Sequence, residues 1–262
     1  MKGFYEAVRV EYLKVIGSKI LWITIMIFAF IATMMGLLVF FAMHPELIKN
    51  SAVMSAKATI IGQADWPAYF DLLYQMIAMI GLIGFGFVVS WIFGREYSDR
   101  TIKDLLALPV TRIQVVIAKF VLFALWSLIL SLVLFILGLA TGLAVRIENW
   151  SADTASHAFT IFTITSILTI LISTPVAFFA SWGRGYLLPL GYIILTMILS
   201  QFIIAGFPGA TPYIPWAIPA IYCGAAGPEI SHLPDASGII LGATCVLGLA
   251  GTGLWWRYAD QT

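Results

Sequence analysis

Residues 20–43 form a run of 24 residues without one charged side chain. Wound as an α-helix, such a run rises about 36 Å, more than the roughly 30 Å of hydrocarbon in a bilayer. Five further runs of comparable character follow, at 72–93, 113–145, 157–182, 185–207 and 236–256, and Lys119 is the only Lys, Arg, Asp or Glu inside any of them. Lipid offers no partner to a backbone N–H or C=O, so runs of this length must satisfy their own hydrogen bonds as helices. The expectation is an all-α membrane protein of six transmembrane helices in a single transmembrane domain. Composition agrees: 61% of residues are hydrophobic, only 10% are charged, and mean hydropathy is +0.99, which excludes an ordinary soluble domain. A net charge of +1 offers nothing to a nucleic-acid backbone. The first run is too long for the apolar core of a signal peptide. The two cysteines, Cys223 and Cys245, read as small buried residues.

The polar breaks carry the rest of the organisation. Residues 1–19 place Phe4, Val8, Tyr12 and Val15 on one helical face and Lys2, Glu6, Arg9 and Lys14 largely on the other, the pattern of a helix lying in the membrane interface. Six of the eleven prolines fall between 208 and 234, and the apolar stretch within 211–222 is too broken by them to span, so it reads as a re-entrant segment. Pro175 is expected to kink the fourth span. Lys and Arg set the orientation. With the N-terminus inside, the inner segments hold Lys2, Arg9, Lys14, Lys19, Arg95, Arg100, Lys103, Arg112, Lys119, Arg184 and Arg257; the outer ones hold Lys49, Lys57 and Arg146. Eleven against three places both termini in the cytoplasm of a cell membrane. Trp22, Trp91, Trp182, Trp255 and Trp256 near inner boundaries, and Trp66, Trp150 and Trp216 near outer ones, read as belt anchors.

One inner segment stands apart. Residues 95–112, REYSDRTIKDLLALPVTR, hold seven of the 27 formally charged side chains (14 basic, 13 acidic) between two nearly uncharged spans. Locally the stretch reads as a short amphipathic helix on the membrane surface. Ser98 or Asp99 would cap its start. Glu96/Arg100, Asp99/Lys103 and Arg100/Asp104 would pair at i,i+4. Ile102, Leu105 and Leu106 make an apolar stripe, and Pro109 ends the helix. Thr111 and Gln114 then form a capping box that starts the third span, whose first turns would carry Lys119 out into the cytoplasm.

Enzyme signatures are missing from the sequence: no H-E-x-x-H, no G-x-S-x-G and no Cys/His cluster at zinc spacing, so neither catalytic nor metal-ligating residues are expected. His44, His157 and His232 read as solvated residues at span edges. With Lys119 placed outside, the spans hold no ionisable group of the kind that marks ion or proton pathways, which argues against ion-coupled transport. G-x-x-x-x-G-K-[ST] is also missing, so the chain has no phosphate cradle of its own. Energy for any work must arrive from another protein, and the charged segment is the largest inner surface to receive it.

At this point a resemblance becomes specific. The N-terminal interfacial helix, the six spans and the string FGREYSDRTIKDLLALPVTRIQVVIAKF (93–120) resemble the permease subunit of ABC-2-type ABC transporters, including the bacitracin- and lantibiotic-resistance branch. That resemblance implies a coupling helix at 95–112 docking into a separate P-loop ATPase subunit, with Arg95, Glu96, Thr101, Lys103, Leu105, Leu106, Pro109, Thr111 and Arg112 matching the family pattern. Asp99, Arg100 and Asp104 complete the expected coupling surface. Arg100 stands where a small residue, often Gly, is common. The resemblance further implies ATP and Mg on the partner rather than on this chain, and a second permease, identical or related, completing a twelve-helix unit among membrane lipids. Apolar walls with span hydroxyls point to an amphiphilic, peptide-antibiotic or lipid-like cargo, with Gln201, Thr163, Ser166 and Phe85 as candidate pathway residues. A membrane-embedded lipid-modifying enzyme and a non-transporting anchor or sensor are the rival classes.

Overall fold

The computed structural model describes residues 2–47, 65–101, 110–230 and 232–259. It is helical, with no strand among the described residues. Helix α1 (Lys2–Ile16) is followed by α2 (Lys19–Met43), capped by Ser18, whose Oγ accepts from the Leu21 N–H. Helix α3 (Trp66–Ser98) extends well past the expected 72–93 at both ends: Asp65 accepts from the Ala68 N–H as N-cap, and Pro67 sits in the first turn, where its missing N–H has no consequence. Helix α4 (Arg112–Val145) starts from the expected capping box, with Thr111 N–H donating to Gln114 Oε1 and Gln114 N–H donating to Thr111 Oγ1. The fourth span is broken into α5 (Ala152–Ile172) and α6 (Pro175–Trp182) at Ser173 and Thr174, as Pro175 demands. Helix α7 (Leu187–Gly206), a set of single turns, the short α8 (Ile218–Tyr222) and α9 (Asp235–Tyr258) complete the chain.

Six of these units are long and apolar enough to cross a membrane: α2, α3, α4, α5 with α6, α7 and α9. Helix α3 is the central one. Tyr69, Leu73, Ile77, Phe85, Val88, Val89, Ile92 and Phe93 are almost fully buried along it, against α4 on one side and α5 and α6 on the other. Helices α2 and α7 sit at the periphery with oily outer faces; Phe30 and Phe202 are both more than 60% exposed, as lipid-facing residues can be. Polar contacts join the spans where packing alone gives no register: Trp126 Nε1–H donates to Thr24 Oγ1, and Tyr69 O–H donates to the Gly138 carbonyl.

The short pieces at Thr211–Tyr213, Pro215–Ala217 and Ile218–Tyr222 bury Ala217, Ile218 and Ile221 in the bundle, Ile218 in one cluster with Leu82 of α3, Ile172 of α5 and Leu241 of α9. The tryptophans divide. Trp22, Trp150 and Trp182 are exposed at span ends, whereas Trp66 and Trp256 are fully buried packing residues rather than belt anchors. Cys223 and Cys245 are free and buried.

Candidate functional site

The starts of α2, α4 and α7 and the ends of α3, α6 and α9 lie on one side of the bundle by the alternation of the spans, and α1 packs across that side against α4. Here α3 ends and the 95–112 segment begins. The sequence suggests a helix starting at Ser98 or Asp99; instead a helix stops there. Ser98 is the last helical residue, Asp99 the C-cap, and Arg100 turns left-handed with φ of 58°. The Arg100 N–H donates to the Tyr97 carbonyl (3.2 Å) and the Thr101 N–H to the Glu96 carbonyl (3.0 Å). That pair of bonds is a Schellman closure, which favours glycine at the left-handed position. The frequent small residue at the position of Arg100 in the resembled pattern thus has a backbone reason.

This closure reorients Glu96. Its expected i,i+4 partner, Arg100, is carried away by the left-handed turn, and Glu96 points inward at 1% exposure. Its Oε1 accepts from Lys14 Nζ at 2.8 Å and from Lys119 Nζ at 3.0 Å, and its Oε2 accepts from Thr101 Oγ1 at 2.6 Å. Lys119, expected in the cytoplasm, is wholly buried in the third turn of α4. It donates to Glu11 Oε2 of α1 (2.9 Å) and to the Ile92 carbonyl (3.1 Å) as well as to Glu96. Lys14 closes the ring on Glu11 Oε1 at 3.0 Å. Two carboxylates and two ammoniums therefore form a neutral, fully hydrogen-bonded cluster that joins α1, α3 and α4. A buried charge is tolerable only in such company. Burial works against the Lys14 ammonium, but Glu11 and Glu96 outweigh it and raise its pKa above the ordinary 10.5.

Neighbouring residues extend the anchor. The Arg95 guanidinium lies 4.6 Å over the Trp91 ring and donates to the Lys14 carbonyl at 3.5 Å. Gly94 lets the 183–185 turn approach: a Cβ there would stand 3.0 Å from the Gly185 carbonyl oxygen. Phe93 and Tyr97 meet the edge of Trp256, whose indole N–H donates to Ser181 Oγ at 2.9 Å. Arg112 donates to the Trp256 and Arg257 carbonyls, tying the start of α4 to the end of α9. Asp99, Arg100 and Thr101 are exposed. Lys103, Asp104, Leu105, Leu106 and Pro109, with the Ile102 stripe and the Asp99/Lys103 and Arg100/Asp104 pairs, lie outside the described residues.

The candidate pathway residues fall in different settings. Phe85 is core, stacked on Phe28 at 5.9 Å, and Ser166 is buried with its hydroxyl donating to the Phe162 carbonyl. Thr163 is half-buried, and Gln201 is exposed on α7 beside a small hollow shared with Met79 and Trp216. Down α5, Thr165, Ser166 and Thr169 donate to carbonyls four residues back, as does Ser173 just beyond it, so these hydroxyls serve the helix itself. Glu11 and Lys119 are the site residues that sequence reasoning missed. The one signal is that Lys119 stands alone in a 33-residue apolar run, where an ammonium needs either water or a carboxylate.

Six helices long and apolar enough to span, with α1 packed across one end of them, define a multi-pass membrane protein. The chain belongs to the ABC-2 family transporter proteins, whose family model matches residues 7–202. It is similar to the bacitracin transport permease protein BCRB of Bacillus licheniformis, 32% identical over 196 residues, which cover 73% of this chain and 91% of that protein.

Proposed function

We propose that this chain is the membrane-spanning subunit of an ATP-driven exporter, energised by a separate P-loop ATPase that docks on the cytoplasmic face around residues 95–112. Both termini then face the cytoplasm, a placement that the eleven-to-three distribution of Lys and Arg supports. ATP and Mg belong to the ATPase, and a second permease, identical or related, supplies the other half of the pathway. The cargo is amphiphilic, peptide-antibiotic or lipid-like; the name of the bacitracin permease relative supports the antibiotic class.

The observation that carries the reading is the anchor beneath the segment. Glu96, two residues before the helix ends, is bonded at once to Lys14, Lys119 and Thr101. A push on the 95–112 segment is therefore delivered to α1, α3 and α4 together rather than absorbed by a slack loop. Coupling of this kind needs rigid elements that share contacts.

The test uses the exposed residues Asp99 and Arg100, because reversal at buried Glu96 would damage the fold itself. The chain is co-expressed with candidate P-loop ATPases, and a copurifying partner is assayed for hydrolysis and for resistance to membrane-active peptide antibiotics. Asp99→Lys with Arg100→Glu is expected to lower resistance and uncouple it from hydrolysis at unchanged expression. Full resistance in that variant, or vectorial movement by the chain with no ATPase present, overturns the proposal.

A further inference from the structure

Between the first turns of α4 and the last turns of α9 runs a groove of about 690 Å³ whose ten lining residues are all apolar. Ile113, Ile117 and Ala124 mark its α4 wall, and Leu249, Gly253 and Leu254 its α9 wall. Nothing in that lining can hydrogen-bond water through a side chain, so its natural occupant is hydrocarbon. Its length is that of one leaflet. From Arg112 to Ala124 is about 18 Å of helix, and from Arg257 back to Leu249 about 12 Å, against roughly 15 Å for half the hydrocarbon thickness.

The mouth of the groove is basic. Arg112 immediately precedes Ile113, and its guanidinium is held across the gap between the two helices by the Trp256 and Arg257 carbonyls. Arg257 stands three residues beyond Leu254 with its guanidinium 5.2 Å from the Tyr258 ring centre. Among the described residues neither arginine has a carboxylate partner. An apolar slot one leaflet deep with two arginines at its interfacial rim is complementary to one molecule class, an anionic phospholipid.

We propose that the α4–α9 groove is a binding site for an anionic phospholipid, with an acyl chain along Ile117 and Gly253 and the phosphate between Arg112 and Arg257. Gly253 shapes the slot: a Cβ there would meet only Ile113 Cδ1, at 3.7 Å, so the space beside it is open to a chain. Occupancy would tie the end of α9 to the start of α4, beside the segment that leads into it. The site does not depend on finding an ATPase partner.

The test uses the full chain in nanodiscs containing phosphatidylglycerol or phosphatidylcholine with a photoactivatable group on the acyl chain. Adducts are expected on 113–124 and 249–254, several-fold more from phosphatidylglycerol, and removable by excess unlabelled phosphatidylglycerol but not phosphatidylcholine. Arg257→Gln should cut that preference about fivefold, since one basic residue near an anionic headgroup contributes about that factor. Gly253→Leu should fill the slot and abolish the adducts; should this variant not fold, the competition in the unaltered chain still decides. Equal labelling by the two lipids overturns the proposal. So do adducts spread evenly onto exposed α7 residues such as Ile198, the signature of ordinary boundary lipid. A high-yield disulfide between two copies carrying Ile117→Cys, which would make the groove an interface between copies, overturns it as well.

Discussion

Replacing Lys119 by methionine keeps an unbranched apolar stem and deletes one charge from the buried cluster. Glu11 and Glu96 would then share Lys14 alone, leaving one uncompensated buried carboxylate, together with a lost bond to the Ile92 carbonyl. Breaking a buried pair from one side costs about 3–5 kcal/mol. The chain has a cheaper escape than unfolding: α1 can lift off, which returns Glu11 and Lys14 to water and uncovers Glu96 to it. What opposes this is the Lys14–Glu96 pair and the apolar contact of α1, in which Ala7 and Val15 are buried and Phe4 and Val8 partly so. Burial of that much side chain contributes about 3 kcal/mol. The penalty equals or exceeds the hold, so α1 should undock while the six-span bundle persists. Hydrogen–deuterium exchange of the purified protein should show protection of 2–16 falling at least tenfold in Lys119→Met, with the exchange of α3 and α5 nearly unchanged. Adding Glu11→Gln leaves Glu96 and Lys14 as a one-to-one pair and should restore most of the protection, a non-additive result of the kind contacting residues give. Undiminished protection in Lys119→Met would refute the reasoning, and so would a double variant worse than either single one.

Three further outcomes are expected, two at the cluster and one at the opposite end of α3. Arg100→Gly should raise the melting temperature in detergent, because a left-handed non-glycine residue costs about 1 kcal/mol, whereas Arg100→Ala, which loses the same charge, should not. The raised pKa of Lys14 means that its contribution to docking is complete below the ordinary lysine value of 10.5 and is lost only as pH climbs past the higher folded value. The anisotropy of a fluorophore on Tyr12→Cys, at an exposed position of α1, should therefore stay level from neutral pH to about 10.5 and fall above it; a fall near neutrality would contradict the cluster. Tyr69→Phe, which removes a buried hydroxyl bonded to the Gly138 carbonyl and Thr141, should lower the melting temperature by the equivalent of about 0.6–1.5 kcal/mol.

Much of the architecture was legible because the rules behind it are local. A 24-residue uncharged run has one stable form in lipid, so the six spans follow from the distribution of charge alone. Thr111 and Gln114 sit three apart, and the capping box they form needs no other part of the chain. Pro175 breaks the fourth span wherever that span packs. The same local logic misled at Glu96. Four-residue spacing pairs it with Arg100, yet the helix closes between them, and a left-handed residue cannot continue the spiral on which that spacing depends.

The true partners lie 82 and 23 residues away, at Lys14 and Lys119, and Glu11 meets Lys119 across 108. No periodicity encodes such distances. What the sequence by itself determined was the spans and the lone lysine at 119, which reads as projecting into the cytoplasm because no local residue offers it a counter-charge and hydrocarbon solvates an ammonium badly. Which carboxylates would answer, and that the interfacial helix would be fastened to the bundle as a result, was decided only when α1, α3 and α4 came together.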